Sequence, residues 1–331
     1  MTSHSAGPLI DIISHGRKVA DPRHPLNAFQ VEQIRRTVNR TPEVMIKVTG
    51  GAGANDARGI AAHFSYIGRR GEVDIETDDG DLLRNRDAGK QLLDAWDLDI
   101  DLHRRRSELF AVNHRKPPKL VHRLVYSMPA GTPSKKVLAA VREFAREEFG
   151  LKYRYAMALH TDDPHPHVHV VVKAVSEEGV RLNIRKDTLR RWRHEFAKQL
   201  RFQGVAANAT TRAVRGHSNT RKSDGIYRAA RRGASTHMRR KITEAAHALK
   251  MESGEAEPAK AQLLNTRAAV HGGWLVATKL LDVRGEIELA RAVRRYVANL
   301  PPVKTEREQL VDQLRGHTGM PRSRASTRDD A

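Results

Sequence analysis

The spacing of apolar residues changes period several times along the chain, and each change marks an element. Met45 to Thr49 is a short apolar run that predicts a strand. Ile60, Phe64 and Ile67 then recur at helical spacing, on a helix that Asn55 or Asp56 would cap and Gly68 would stop. In GEVDIET the period drops to two at Val73 and Ile75, giving a strand that runs into the turn at Asp78, Asp79 and Gly80. A charged helical region follows over 86–106 and includes QLLDAW. The run from Leu120 to Met128 predicts a strand, and PAGTPS leads into a helix over 134–149 that carries Val137, Val141 and Phe144 on one face. Two further strand-like runs, YAMAL and VHVVV, are joined by Asp162, Asp163 and Pro164, which is turn chemistry, so they form a hairpin. Lys186 to Phe202 closes the series as a very basic helix with Leu189, Trp192, Phe196 and Leu200 on its apolar face. This alternation predicts an α+β domain over 44–215, with a mainly antiparallel central sheet flanked by helices.

The flanking segments read differently. Residues 1–43 contain Pro8, Pro22, Pro25 and Pro42 and predict an irregular N-terminal arm. After Gly216 the composition shifts to Ala, Arg and Glu, so 216–331 predicts a basic, mostly helical C-terminal region. Within it, Ile226 to Lys250 is helical and 251–258 is a linker. A further helical pattern is expected from Gln262 to Arg315, broken at Gly272–Gly273 and at Pro301–Pro302, and the composition of the tail SRASTRDDA predicts disorder. Gly50, Gly51 and Gly53 lack the Gly-Lys-Ser/Thr ending of a phosphate loop and are read as a turn into the next helix.

Charge narrows the partners. The 331 residues carry a formal charge of +20 and a pI near 10.5, which points to a polyanion, with nucleic acid first. From Arg181 to Arg240 there are seventeen Lys or Arg against Asp187, Glu195 and Asp224. With no cysteine, disulfides and thiolate zinc fingers are excluded. No apolar run approaches the ~20 residues of a membrane span, and the first twenty residues lack the apolar core of a signal peptide. The expectation is a cytoplasmic protein with no membrane insertion.

The densest chemistry lies in HTDDPHPHVHVVV. His167 and His169 are two apart and leave one face of a strand, and the hairpin folds His160 back beside them. Three neutral imidazoles with positions left open form a catalytic kind of metal site, which zinc, manganese, cobalt or nickel would suit. A lone strand histidine is usually a satisfied polar residue, but three at these spacings on one hairpin outweigh that reading. His165, bracketed by Pro164 and Pro166, reads as part of the turn or as a support behind the metal ligands. Tyr66 falls at a helix end beside Arg69 and Arg70. Together with an open metal site and a basic surface, it points to phosphoryl transfer on nucleic acid, with metal-bound water or a side chain as nucleophile. Phosphate contacts are expected from Arg69, Arg70, Arg185, Lys186, Arg190, Arg191 and Arg193. Competing tyrosines are Tyr126, Tyr153 and Tyr155 in strands, and Tyr227 and Tyr296 in the helical remainder.

Three stretches, HFSYIGRRGEVDIE, LVYSMPAGTP and HTDDPHPHVHVVV, resemble the conjugative relaxases of the VirD2 type, the mobilisation-protein P class of HUH endonucleases. The resemblance covers roughly 45–215. It implies that Tyr66 attacks a phosphodiester at an origin of transfer, leaving a 5′-phosphotyrosyl bond and a free 3′-hydroxyl. It also implies a metal triad of His160, His167 and His169, with Asp162 orienting a ligand or accepting the tyrosine proton, and magnesium or manganese as the ion. The partners it implies are single-stranded and supercoiled plasmid DNA, an accessory relaxosome protein and a type IV secretion coupling protein, with export to a recipient cell alongside the DNA. Rolling-circle initiators share the histidine pattern, but their tyrosine follows the histidines, whereas Tyr66 precedes them. A non-catalytic, metal-containing DNA-binding accessory protein is the rival from another class.

Overall fold

The computed structural model describes residues 25–50, 55–98, 118–218, 226, 229–230, 232–251 and 258–318. Among them the chain runs through α1 (Ala28–Val38), β1 (Met45–Val48), α2 (Ala57–Ile67), a 3-10 turn (Arg69–Gly71), β2 (Ile75–Thr77) and β3 (Leu82–Leu83). It continues through α3 (Ala88–Ala95), β4 (Val121–Ser127), α4 (Ser134–Glu148), β5 (Tyr155–His160), β6 (His167–Lys173) and α5 (Lys186–Phe202). Four more helices follow: α6 (Thr236–Met251), α7 (Pro258–Val283), α8 (Ile287–Ala298) and α9 (Glu306–Thr318). They fall into two compact units, one of residues 40–209 and one that joins the described parts of 1–39 and 210–331.

In the first unit, six strands form one antiparallel sheet in the order β1-β4-β6-β5-β2-β3. Alternation along the strands separates two cores. Leu124, Tyr126, Met157, Val168, Val170 and Val172 point to one face, where they meet Val137, Val141 and Phe144 of α4 and Trp192, Phe196 and Leu200 of α5. Val121, Ala156, Ala158 and Val171 point to the other, under Ile60, Phe64 and Ile67 of α2 and Leu92 of α3. Each fully buried side chain on α2 contributes roughly 1.5–3 kcal/mol, enough to hold this helix to the sheet. A Cβ at Gly89 would stand 2.7 Å from the Ala61 carbonyl oxygen, so α3 approaches α2 at a distance only glycine permits. His160, His167 and His169 share the parity of the residues beneath α2. The α+β architecture with an antiparallel sheet is as expected.

The second unit corrects two expectations. The described part of 1–43 is not an irregular arm, because residues 28–38 form α1, closed by a capping box in which Asn27 and Gln30 exchange bonds of 3.0 and 2.8 Å. Pro25 and Pro42 bracket this helix rather than break it. Val31 and Ile34 are buried with Val270, Trp274, Leu281, Leu289 and Val293. Nor do Gly272 and Gly273 break the helical pattern, since α7 runs through them and buries Val270 and Trp274 on either side. Tertiary packing there outweighs the ~1 kcal/mol penalty of a helical glycine. The chain breaks instead at Gly285, with φ +81, and at Pro301–Pro302 as predicted. Of the predicted helix from Ile226, the described residues 226, 229 and 230 are helical, and after a turn at Gly233 with φ +69 the helix over 236–251 forms. The helical continuation over 99–106, most of the linker, Gly51 and Gly53, Tyr227 and the tail lie outside the described residues. No helix among the described residues is long and apolar enough to cross a membrane.

Candidate active site

Register alone brings the three histidines together. His160 is the direct cross-strand partner of His167, and His169 stands opposite Ala158 one step along. Ring centroids lie 4.5 Å apart for His160 and His169, 5.3 Å for His160 and His167, and 5.2 Å for His167 and His169. One nitrogen from each falls within 4.8 Å of the others. The hydrogen bonds at their outer edges fit a metal centre. The His160 Nε2–H donates to the Ile67 carbonyl at 2.7 Å, and the His167 Nδ1–H donates to the His165 carbonyl at 3.0 Å. Such bonds fix a ligating ring and leave its other nitrogen as a lone pair. His169 is only 7 % exposed, and neither of its ring nitrogens has a hydrogen-bond partner. An unsatisfied buried polar atom costs about 1–3 kcal/mol, which a bound cation would offset at the lone pair.

The protonation states suit the same role. Burial, reinforced by the charges of His160 and His167, pushes His169 down to about 3. His160 is also lowered, chiefly by burial and against its bond to Ile67. Both rings are therefore neutral donors at physiological pH. His165 sits apart in the turn, bonded through its amide and Nδ1 to Asp163 at 3.0 and 3.1 Å, as its flanking prolines predicted.

Helix α2 delivers the tyrosine. Its N-cap is Asp56, which accepts from the Gly59 amide at 2.7 Å, and Arg123 on β4 donates to the Gly59 carbonyl at 2.9 Å. Tyr66, one residue before the helix end, is 50 % exposed and presents its ring edge-on to His160 at 6.1 Å and His169 at 5.6 Å. The Arg69 guanidinium lies 5.1 Å from the same ring and donates to Asp162 at 2.5 Å. Slight burial raises the Asp162 carboxyl, but the Arg69 hydrogen bond, the residue's own amide and nearby positive charge outweigh it and hold the group below the usual range. Tyr66, Arg69, Asp162 and the triad thus meet at one place.

Other candidates lie elsewhere. Tyr126 is fully buried and its phenol is raised well above the ordinary value by burial, while Tyr155 is buried and also raised. Tyr296 belongs to the second unit, against Trp274 at 5.5 Å. Helix α5 packs on the sheet face opposite the histidines. There Arg191 forms a two-pronged pair with Glu148 at 2.6 Å, Arg193 donates to the Ile46 carbonyl at 3.2 Å, and Arg190 pairs with Asp187 at 3.4 Å. Arg185 and Lys186 are exposed at its start, and Arg70 is exposed beside Arg69. Sequence reasoning missed His63, which stacks on Tyr66 at 5.9 Å with planes 20° apart and meets His169 at 6.2 Å. Burial, with Arg123 and His160 nearby, pushes it down to about 4. The available signal was its spacing of three from Tyr66, which puts both on one helix face.

Residues 84–204, which contain the hairpin, the triad and Asp162, match the family model described as relaxase, MobA/VirD2-like, nuclease domain. This segment is similar to a VirD2-type relaxase nuclease domain. Over 191 residues, or 53 % of the chain, it is 28 % identical to the T-DNA border endonuclease VirD2 of Rhizobium radiobacter. It is 27 % identical to the proteins of that name from Agrobacterium fabrum and Rhizobium rhizogenes over the same length. These stretches cover 43, 41 and 42 % of the relatives, so the chain spans less than half of their length. The family match begins after Tyr66 and so does not bear on that residue.

Proposed function

We propose that the chain is a site- and strand-specific DNA relaxase that nicks an origin of transfer through Tyr66 and later recloses it. The carrying observation is the exposed Tyr66 ring set against His160 and His169, with Arg69 bridging it to Asp162. His160, His167 and His169 would hold a divalent ion, magnesium or manganese, which would supply charge stabilisation for the scissile phosphate when bound. The Tyr66 hydroxyl attacks phosphorus, its proton passes to Asp162 or to solvent, and the phosphorus–O3′ bond breaks. The departing oxygen takes up a proton and leaves as a 3′-hydroxyl, while the 5′-phosphate stays on Tyr66. A free tyrosine titrates near pH ~10, so such a nucleophile needs cationic and basic neighbours. Arg69 and Asp162 stand in those positions. Because one ester replaces another, the steps run backward without an outside energy source and restore the strand.

The reading extends to plasmid mobilisation, with plasmid DNA, an accessory relaxosome protein and a type IV secretion coupling protein as partners. Residues 216–331 are the region for those contacts, and the DNA–protein adduct is the form that would be exported. The test mixes the protein with a labelled single-stranded origin oligonucleotide and manganese, then looks for a shifted band on a denaturing gel. An adduct lost in Tyr66→Phe and with chelator is the expected result. Free ends without an adduct would mean attack by water, and tight salt-sensitive binding without cleavage of a verified origin would mean an accessory protein.

A further inference from the structure

His160 has one nitrogen to give a metal, and Arg69 already holds it. The Ile67 carbonyl can only accept, so Nε2 of His160 carries the proton and Nδ1 carries the lone pair. Nη2 of Arg69 lies 3.1 Å from that Nδ1 and 2.5 Å from Oδ2 of Asp162, one N–H for each. Ile67 and Arg69 belong to the same turn, which thereby binds both edges of the His160 ring. Its backbone is unusual: Arg69 and Arg70 have φ of +48 and +57, a left-handed region in which Cβ crowds the following carbonyl oxygen, and Gly71 follows at +95. The turn is closed by the Gly68 carbonyl, which accepts from the amides of Gly71 and Val73 at 2.9 and 3.0 Å. This kink carries the Arg69 guanidinium back to the Tyr66 ring and the triad. Strained backbone maintained by its surroundings is often tied to a site's working.

The geometry points to Arg69 as an internal counter-cation of the triad, a positioning residue that a divalent metal ion must displace from Nδ1 of His160 in order to bind. One lone pair cannot serve an N–H donor and a metal at once. Arg69 therefore holds His160 and Asp162 in place while the site lacks an ion, and lowers the site's affinity for one. By linkage, metal binding weakens the Arg69 contact as much as that contact weakens metal binding. The inference rests on the triad as a metal centre and is independent of any role for Tyr66.

Calorimetric titration of the full chain with manganese alone tests it. Arg69→Met removes the donor and keeps an unbranched side chain beside Tyr66, and it is expected to bind manganese about 5-fold tighter or more, the lower end of ordinary coupling between sites. His169→Ala is the control and is expected to abolish binding. Equal or weaker binding by Arg69→Met, with wild type binding and the control silent, overturns the inference and leaves the triad reading intact. No binding by wild type and Arg69→Met overturns both. Should Arg69→Met not fold, wild-type protein labelled with nitrogen-15 gives the answer. One equivalent of zinc is expected to shift the Arg69 guanidinium resonance as its contact with Nδ1 of His160 is lost, and an unmoved resonance in the zinc-bound protein sinks the idea.

Discussion

Acid is expected to destabilise the sheet unit well above the pH at which its carboxylates titrate, because the fold keeps histidines neutral. Burial is the leading cause at all three: His63 and His122 are pushed down to about 4 and His169 to about 3, with positive or potentially positive neighbours adding to it. A histidine lowered in the folded state favours folding fully above its unfolded value, and that contribution is lost as pH falls toward the folded one. Between pH 8 and 5, each unfolded histidine gains protonation worth about 1.5 units from ~6.5, or about 2 kcal/mol. The total depends little on the folded values as long as they stay below 5. Three such groups give about 4–6 kcal/mol once partial solvent access at His63 and His122 is discounted, comparable to a domain's whole stability. Asp162 and Asp163 are held below the ordinary carboxylate range and stay charged throughout this window. The assay is urea unfolding in chelator at pH 8 and 5, read by amide exchange in peptides from β4, β5 and β6. His122 lies on the sheet face away from the triad, so His122→Gln is expected to remove about a third of the acid loss. A flat stability profile, or a loss that His122→Gln leaves whole, would refute the reasoning.

Three other perturbations probe how the site is held. Gly71→Ala places a Cβ 2.8 Å from the Asn85 carbonyl carbon at φ +95, so thermal unfolding is expected to show a loss of about 1–2 kcal/mol or more, with adduct yield falling alongside; unchanged melting contradicts it. The His63–Tyr66 stack is worth about 0.5–1.5 kcal/mol, so His63→Ala is expected to slow nicking up to about tenfold while His63→Phe restores most of the rate. If His63→Phe is as slow as the alanine variant, stacking is not what His63 supplies. On α5, Lys186→Ala and Arg190→Ala are each expected to lower the salt slope of single-strand binding by about one, and an unaltered slope would take that helix out of the DNA path.

The fold was legible where local pattern and tertiary packing agree. The helix at Lys186–Phe202 runs as its Leu189, Trp192, Phe196 and Leu200 spacing predicted, and the hairpin forms where the apolar run YAMAL and the valine-rich run VHVVV meet across Asp162–Pro164. It was illegible where packing overrides a local breaker. Gly272 and Gly273 look like a stop, yet α7 passes through because its neighbours Val270 and Trp274 are buried. Residues 28–38 were obscured by the prolines around them, although Asn27 and Gln30 carry a capping box. Val73 was expected in a strand, but its amide closes the turn onto Gly68 and the strand begins at Ile75.

The site divides in the same way. Two strand histidines at a spacing of two, and a third across a tight turn, follow from local geometry, so the triad was readable. The approach of Tyr66 was not, because it depends on which strands become neighbours. Sheet order puts β5 beside β6 and β2, and α2, which immediately precedes β2, packs over β5 and β6. Ala156 and Ala158 contribute little bulk at the face on which Phe64 and Ile67 rest, and His160 continues the same parity to the strand end. Depth in the core is therefore set by small residues, and reach along the strand by register. Neither can be read from α2 alone. The Ile67 carbonyl carries the point furthest: a helix-end backbone group, with no signature in sequence, selects which nitrogen of His160 is free and so decides what Arg69 and a metal ion must share.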